Sequence, residues 1–260
     1  MKRILALFFL LAITISATLP AKCCCHPQGY SFYMNVSSGV SFSESAHVFA
    51  PPVAWNPAVQ GYNSKLGNRT IADLRIGCEL MHLLGMEVGV SVRSTFKYRK
   101  FQTPVDGGNS YTREFDLYVI PILFSVNLLG RDVSYLNWDI ACGKIYPIIG
   151  ASVGISNLLI TNFRTTGLPP SGASDPFASF SAENQYTHRK NFTYTVSVGF
   201  EYNYQDYWAI ATGYRWFDAG KFKGPRFQRV ATGDAVDIGG EEWKMRFRSN
   251  EWFIGLKIFL

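Results

Sequence analysis

From Phe192 to Asn203 the chain alternates without a break. Phe192, Tyr194, Val196, Val198, Phe200 and Tyr202 fall on one side, and Thr193, Thr195, Ser197, Gly199, Glu201 and Asn203 on the other. Successive side chains of a strand point to opposite faces, so this segment predicts a strand whose two faces meet different surroundings. Six large apolar residues opposite six small or polar ones suit a strand with hydrocarbon outside and a polar interior. The same period recurs around residues 30–42, 72–80, 86–98, 144–156, 208–216 and 252–260. Within 86–98, Met86, Val88, Val90, Val92, Phe96 and Tyr98 form the apolar row, and Glu87, Ser91, Arg93, Thr95 and Lys97 the opposite one. The segment from Tyr111 to Leu128 is less regular. Its row Phe115, Leu117, Val119, Pro121 and Leu123 is expected to face out. Ile120, Ile122 and Phe124 would then point inward beside Glu114, Asp116 and Tyr118, implying a bulge or an apolar patch inside.

These segments predict eight strands, with ten as the alternative if the stretch 157–190 or the last loop hides a hairpin. The connections alternate in length. Long, polar or Pro- and Gly-rich stretches follow the odd strands, and short turns such as His82–Leu84 and Gln205–Asp206 follow the even ones. Transmembrane barrels show this asymmetry, with long loops outside the cell and short turns in the periplasm. Both termini are therefore expected in the periplasm.

Composition sharpens the picture. Charged residues make up 17% and aromatic residues 15%, whereas soluble domains carry about 25% charge. Beyond the N-terminus no apolar run approaches the roughly 20 residues of a spanning helix. A closed barrel is the other architecture that satisfies every backbone group in lipid, so the fold class expected is an all-β, closed antiparallel transmembrane barrel over residues 30–260. Lys2 and Arg3 precede an apolar core from Ile4 to Ile15 and small residues up to Ala21. This reads as a secretory leader over 1–21, leaving a Cys-rich segment over 22–29. Cys23, Cys24 and Cys25 lie together there, and Cys78 and Cys142 stand far apart. The spacing lacks the paired pattern of zinc sites. Disulfides are the expected fate in an oxidising compartment, with partners left open. The formal charge is +6, and an exported aromatic-rich chain directs any basic surface toward lipid or polymer anions rather than nucleic acid.

Three stretches carry a family likeness. Lys144-Ile-Tyr-Pro-Ile-Ile-Gly-Ala-Ser-Val-Gly-Ile-Ser156, Trp208-Ala-Ile-Ala-Thr-Gly-Tyr-Arg-Trp-Phe-Asp218 and the ending Gly255-Leu-Lys-Ile-Phe-Leu260 resemble the fifth strand, the seventh strand and the C-terminal signal of the OmpA-like and opacity-type outer-membrane barrels. The resemblance implies residence in the outer membrane of a Gram-negative-type bacterium among lipid and lipopolysaccharide. It also implies assembly by the barrel-insertion machinery through Gly255, Ile258 and Leu260. The chain departs from that pattern in ending on Leu where the family has Phe, and in Phe253 where a polar residue is expected.

The candidate chemistry lies on the inward rows. Asp73, Glu79, Glu87, Glu114, Asp116 and Glu201 are expected in the lumen with Arg75, Arg93, Lys97, Lys144, Arg215 and Lys257. An eight-stranded barrel is just wide enough for side chains to fill it, and charges held there must pair. The expectation is a seal of ion pairs, with a narrow ion path as the alternative. Outside, Lys221, Lys223, Arg226 and Arg229 form a basic run with Phe222 and Phe227 between them, a candidate for contact with phosphates or an acidic surface polymer. Catalysis by a small barrel requires a His beside a carboxylate or nucleophile. His26, His47, His82 and His188 lie in the leading segment, turns or loops. The sequence thus points to a non-enzymatic, surface-exposed envelope protein without a cofactor, with a small pore as the main rival and a lipid-modifying enzyme further behind.

Overall fold

In the computed structural model the alternating segments pair into a ring. The structure describes residues 30–44, 48–49, 66–102, 110–168, 179–182, 187–223, 227–229, 235–237 and 244–260. The predicted leader, the Cys-rich segment 22–29 and Arg226 lie outside them. Among the described residues the strands are β1 (Tyr30–Ser43), β2 (Val48–Phe49), β3 (Asn68–Leu80), β4 (Leu84–Arg93), β5 (Phe96–Gln102), β6 (Ser110–Leu129) and β7 (Trp138–Ile140). They continue with β8 (Gly143–Leu168), β9 (Ser179–Ala182), β10 (Thr187–Tyr204), β11 (Trp208–Lys223), β12 (Phe227–Arg229), β13 (Ala235–Asp237) and β14 (Lys244–Phe259).

β1, β3, β4, β6, β8, β10, β11 and β14 form the wall, each antiparallel to its neighbours. β14 then pairs with β1, from Tyr33 opposite Phe259 to Ser43 opposite Ser249, and closes the ring. Eight strands make the barrel, as expected. β5 continues the line of β4 along the edge of β6 after a break at Ser94–Thr95. β2, β7, β9, β12 and β13 pair outside the ring. β1 begins and β14 ends at one rim, where the turns at 81–83 and 205–207 are tight. Met81, His82, Gln205 and Asp206 have positive φ there, the left-handed conformation that tight hairpin turns need.

Around the middle of the barrel the outward rows are apolar and exposed, with Ile76 at 61% and Trp252 at 60% exposure beside Val88, Phe124, Ile149 and Phe200. A continuous belt of this kind cannot face water and marks a lipid-covered surface. Inside the belt most side chains are small, polar or charged, with the apolar Leu123 and Phe253 among them.

Toward the rim opposite the termini this polarity inverts. On β6 the inward row runs from Ser125 to Val119, Leu117 and Phe115, while the outward row runs from Ile120 to Tyr118, Asp116 and Glu114. On β14 the inward row changes from Glu251 to Phe247 and Met245, and the outward row from Trp252 to Arg248 and Arg246. Phe96, Tyr98, Leu158, Ile160, Phe217 and Phe222 join them in one buried cluster. Apolar inside and charged outside is the arrangement of a water-soluble protein. β8 has 26 residues, whereas about 9–11 suffice for a membrane strand. The barrel is therefore two stacked tiers, a lipid-facing one near the termini and a water-facing one with its own core.

The inversion corrects part of the sequence reading. Phe115, Leu117, Val119, Pro121 and Leu123 fill the interior rather than facing out, and Ile120, Ile122 and Phe124 face out. Phe96 and Tyr98 also point inward, because the break at Ser94–Thr95 exchanges the two faces before β5 begins.

Candidate functional site

The lipid-facing tier encloses a network of charges. Alternation on each strand aims one row at the axis, and barrel closure brings rows from distant strands within bonding distance. Arg215 on β11 lies at the centre, with Nη1 2.9 Å from Asp73 Oδ2 of β3 and Nη2 2.7 Å from Glu251 Oε2 of β14. Glu251 also meets Arg93 of β4 at 2.8 Å. Arg75 bridges Asp73 at 3.2 Å and Glu87 at 3.1 Å. Ser37 donates to Asp73 over 3.0 Å, while the Tyr33 hydroxyl and Asn35 each donate to Glu87 over 3.1 Å. Nearer the termini, Lys257 lies between Glu79 at 2.9 Å and Glu201 at 2.8 Å. Tyr146 donates to Glu201 over 2.7 Å, and the Lys257 ammonium stands 4.5 Å over the Tyr33 ring.

Every charged member except Arg75 is nearly or fully buried. An isolated ion at such positions carries a penalty of several kcal/mol, so mutual pairing is the condition for the set to exist. Arg93 joins the two tiers. Its guanidinium pairs with Glu251 on one side and stacks 3.6 Å from the centre of the Phe217 ring on the other, where the apolar cluster begins. A cavity of about 30 Å³ remains beside Arg75 and Arg215, lined also by Asn35, Ser37, Ser152 and Phe253. That is room for one or two water molecules.

At the terminal rim Arg131 bonds to Asp206 and stands 3.8 Å from Glu79. His82, in the β3–β4 turn, has Nδ1 4.0 Å from Glu79 Oε2. Its interaction with that carboxylate raises the imidazole pKa above the ordinary histidine value.

Of the twelve residues expected in the lumen, Asp73, Arg75, Glu79, Glu87, Arg93, Glu201, Arg215 and Lys257 line it. Four do not belong to the network. Lys97 is exposed on the outer side of β5, cross-strand from Asp116, which lies outside with Glu114 because β6 has the opposite facing. Lys144 is exposed at the start of β8, a rim position beyond the paired charges. Glu251 and Tyr33 belong to the network without having been expected there. Both sit on the inward parity of their strands, so extending the row of Phe253 by one step finds Glu251, and filling the gap between Ser31 and Asn35 finds Tyr33. Lys221 is exposed at the end of β11; Lys223 and Arg229 lie in β11 and β12. The Cys78 and Cys142 thiols are both free.

No protein-family model matches the sequence, and no curated protein matches it. Among solved structures the chain is similar to Neisserial surface protein A, at 14% identity and a TM-score of 0.44 over 89% of this chain and 99% of that one. It is similar to the outer membrane protein OprG from Pseudomonas aeruginosa at 11% identity and a TM-score of 0.47, covering 90% of this chain and 98% of that one. The outer membrane protease OmpT from Escherichia coli is also similar, at 7% identity and a TM-score of 0.35 over 92% and 99% of the two chains. The closed ring of strands itself sets the fold class.

Proposed function

We propose that the chain is a non-enzymatic, surface-exposed protein of a Gram-negative-type outer membrane, sealed along its axis, that supports the envelope and meets external partners through its water-facing tier and loops. The observation that carries this reading is the continuous filling of the lumen. The terminal side holds Lys257 between Glu79 and Glu201, the middle holds Arg215 between Asp73 and Glu251, and the apolar cluster around Phe217 and Phe247 follows. An ion crossing the barrel would have to break buried pairs and then enter a dry apolar zone. In this reading the termini face the periplasm, with Gly255, Ile258 and Leu260 presented to the insertion machinery. Lipid and lipopolysaccharide surround the apolar belt.

Conductance of the refolded protein in planar bilayers tests the reading. The expected record is a baseline without reproducible steps. Stable single-channel openings of fixed size would replace the seal with a pore.

A further inference from the structure

Three connections lie at the rim where β1 begins and β14 ends. They are the β3–β4 turn (81–83), the β6–β7 connection (130–137) and the β10–β11 turn (205–207). Backbone bonds pin each of them. The Leu129 amide donates to the Leu83 carbonyl over 2.8 Å, which ties the end of β6 to the first turn. In the second, Val133 donates to Gly130 over 3.3 Å and Leu136 to Val133 over 2.8 Å, while Asn137 Nδ2 donates to the Arg131 carbonyl over 2.6 Å. In the third, the Asp206 amide donates to Asn203 Oδ1 over 3.0 Å, and Phe259 of β14 donates to Tyr207 over 3.2 Å. Arg131 therefore springs from a fixed base. Its guanidinium bonds to Asp206 through Nη2 and holds Nη1 3.8 Å from Glu79 Oε2. β3 and β10 stand four places apart in either direction around the ring of eight. This one side chain spans the mouth from wall to wall.

Glu79 Oε2 is the adjustable point of the span. Lys257 holds the other oxygen of that carboxylate at 2.9 Å, whereas Oε2 has Arg131 Nη1 at 3.8 Å and His82 Nδ1 at 4.0 Å. Both separations are longer than a hydrogen bond, so either group has room to close on it. Among the described residues, the charged groups around His82 are Glu79 of β3, Arg131 and Asp132 of the β6–β7 connection, and Asp206 of the β10–β11 turn. The Glu79 carboxylate raises the imidazole pKa, partial burial and Arg131 oppose it, and Asp206 and Asp132 add to it. A charged His82 makes the stronger, charge-assisted bond to Glu79, and its repulsion turns Arg131 toward Asp206. Two pairs then hold the rim. With His82 neutral, Arg131 divides between the two carboxylates and the β3–β4 turn loses its charged hold. We infer that the terminal mouth is a proton-operated clasp. His82 and Arg131 draw the three connections together in acid. They slacken as pH rises through the histidine range and admit water to the Lys257 pairs. The clasp belongs to the ring and its turns, whichever compartment the rim faces.

Amide hydrogen exchange of the full chain refolded in phospholipid vesicles tests the clasp. Rates are read at about pH 5.5 and about pH 8.5, either side of the ordinary histidine value, and each is divided by the chemical rate of an open peptide at that pH. In the wild type all three connections are expected to be about fivefold better protected at the lower pH. That factor is the difference of about 1 kcal/mol between a charge-assisted and a neutral hydrogen bond. Wall amides of β4 around Val90 should show no such step. His82→Gln should abolish the step throughout. Arg131→Gln should leave it in the β3–β4 turn and abolish it in the β10–β11 turn. A wild type without the step, or a step that survives in His82→Gln, overturns the inference. So does a wild-type step confined to the β3–β4 turn or shared by the wall, or one that persists in the β10–β11 turn of Arg131→Gln. If His82→Gln does not refold, His82→Lys, charged at both pH values, should keep the higher protection at both. A step in that variant equally overturns the clasp.

Discussion

Arg93 and Glu251 meet at 2.8 Å across the lumen although β3 and β1 lie between their strands in the wall. The contact is a strut spanning the interior, and both side chains are fully buried. Arg215 shares the same carboxylate, so Glu251 balances two guanidinium groups. Glu251→Ala should therefore lower stability by about 3–5 kcal/mol, the range for leaving a buried charge uncompensated. Arg93→Met combined with Glu251→Gln should cost less than Glu251→Ala alone, because it removes one of the stranded cations. Urea unfolding in vesicles, followed by the migration of unboiled samples, measures both. Equal stability of Glu251→Ala and wild type would contradict the strut.

Lys97 and Lys257 belong to similar alternating rows but occupy opposite environments, Lys97 exposed and Lys257 buried between two carboxylates. Lys97→Ala is expected within about 0.5 kcal/mol of wild type, as for ordinary surface substitutions. Lys257→Ala is expected to lose about 3 kcal/mol or more, since Glu201 would lose its ion pair while buried near Glu79, which would keep only Arg131 and His82. A large loss in Lys97→Ala would return that residue to the lumen.

His82 gives the barrel a pH-dependent corner. Its imidazole pKa is raised by the Glu79 carboxylate, so the protonated form is favoured in the folded protein. That contribution is fully present below the pKa of the unfolded chain and is lost as pH rises through the higher folded value. Unfolding midpoints measured between about pH 5.5 and about pH 8.5, bracketing the ordinary histidine range, should fall with rising pH. In His82→Gln that part of the slope should vanish. An unchanged slope in the variant would detach His82 from the effect.

Gly39 lies where β1 meets β14, and a Cβ there would stand 1.9 Å from the Trp252 carbonyl oxygen. The obstacle is backbone, so the strands themselves would have to part. Gly39→Ala should cost about 1–3 kcal/mol, the usual range for overpacking, and reduce the yield of folded barrel. Refolding yield in vesicles reads this directly. Full yield and stability would show that the seam opens freely.

The architecture was largely legible in the sequence, because period two with apolar rows survives in every wall strand. Asp73, Arg215 and Lys257 were placed in the lumen by parity alone. The errors share a cause. Alternation separates residues into two rows but does not say which row faces the axis, and that sign reverses where the barrel leaves the belt. Phe115 and Leu117 look like lipid-facing residues and are core residues of the water-facing tier. Glu114 and Asp116 look like lumen charges and stand outside. The break at Ser94–Thr95, which carries Lys97 to the outer side, has no signal stronger than two small polar residues. The match between Arg93 and Glu251 depends on shear around the ring, which no single strand encodes.

The reversal of polarity along β6 and β14 sets different rules for substitution on the two sides of the wall. In the water-facing tier the outward charges, Lys97, Glu114 and Asp116 among them, can be exchanged for other polar groups at little cost. Phe96, Phe115, Phe217 and Phe247 beneath are constrained as strictly as the centre of any soluble protein.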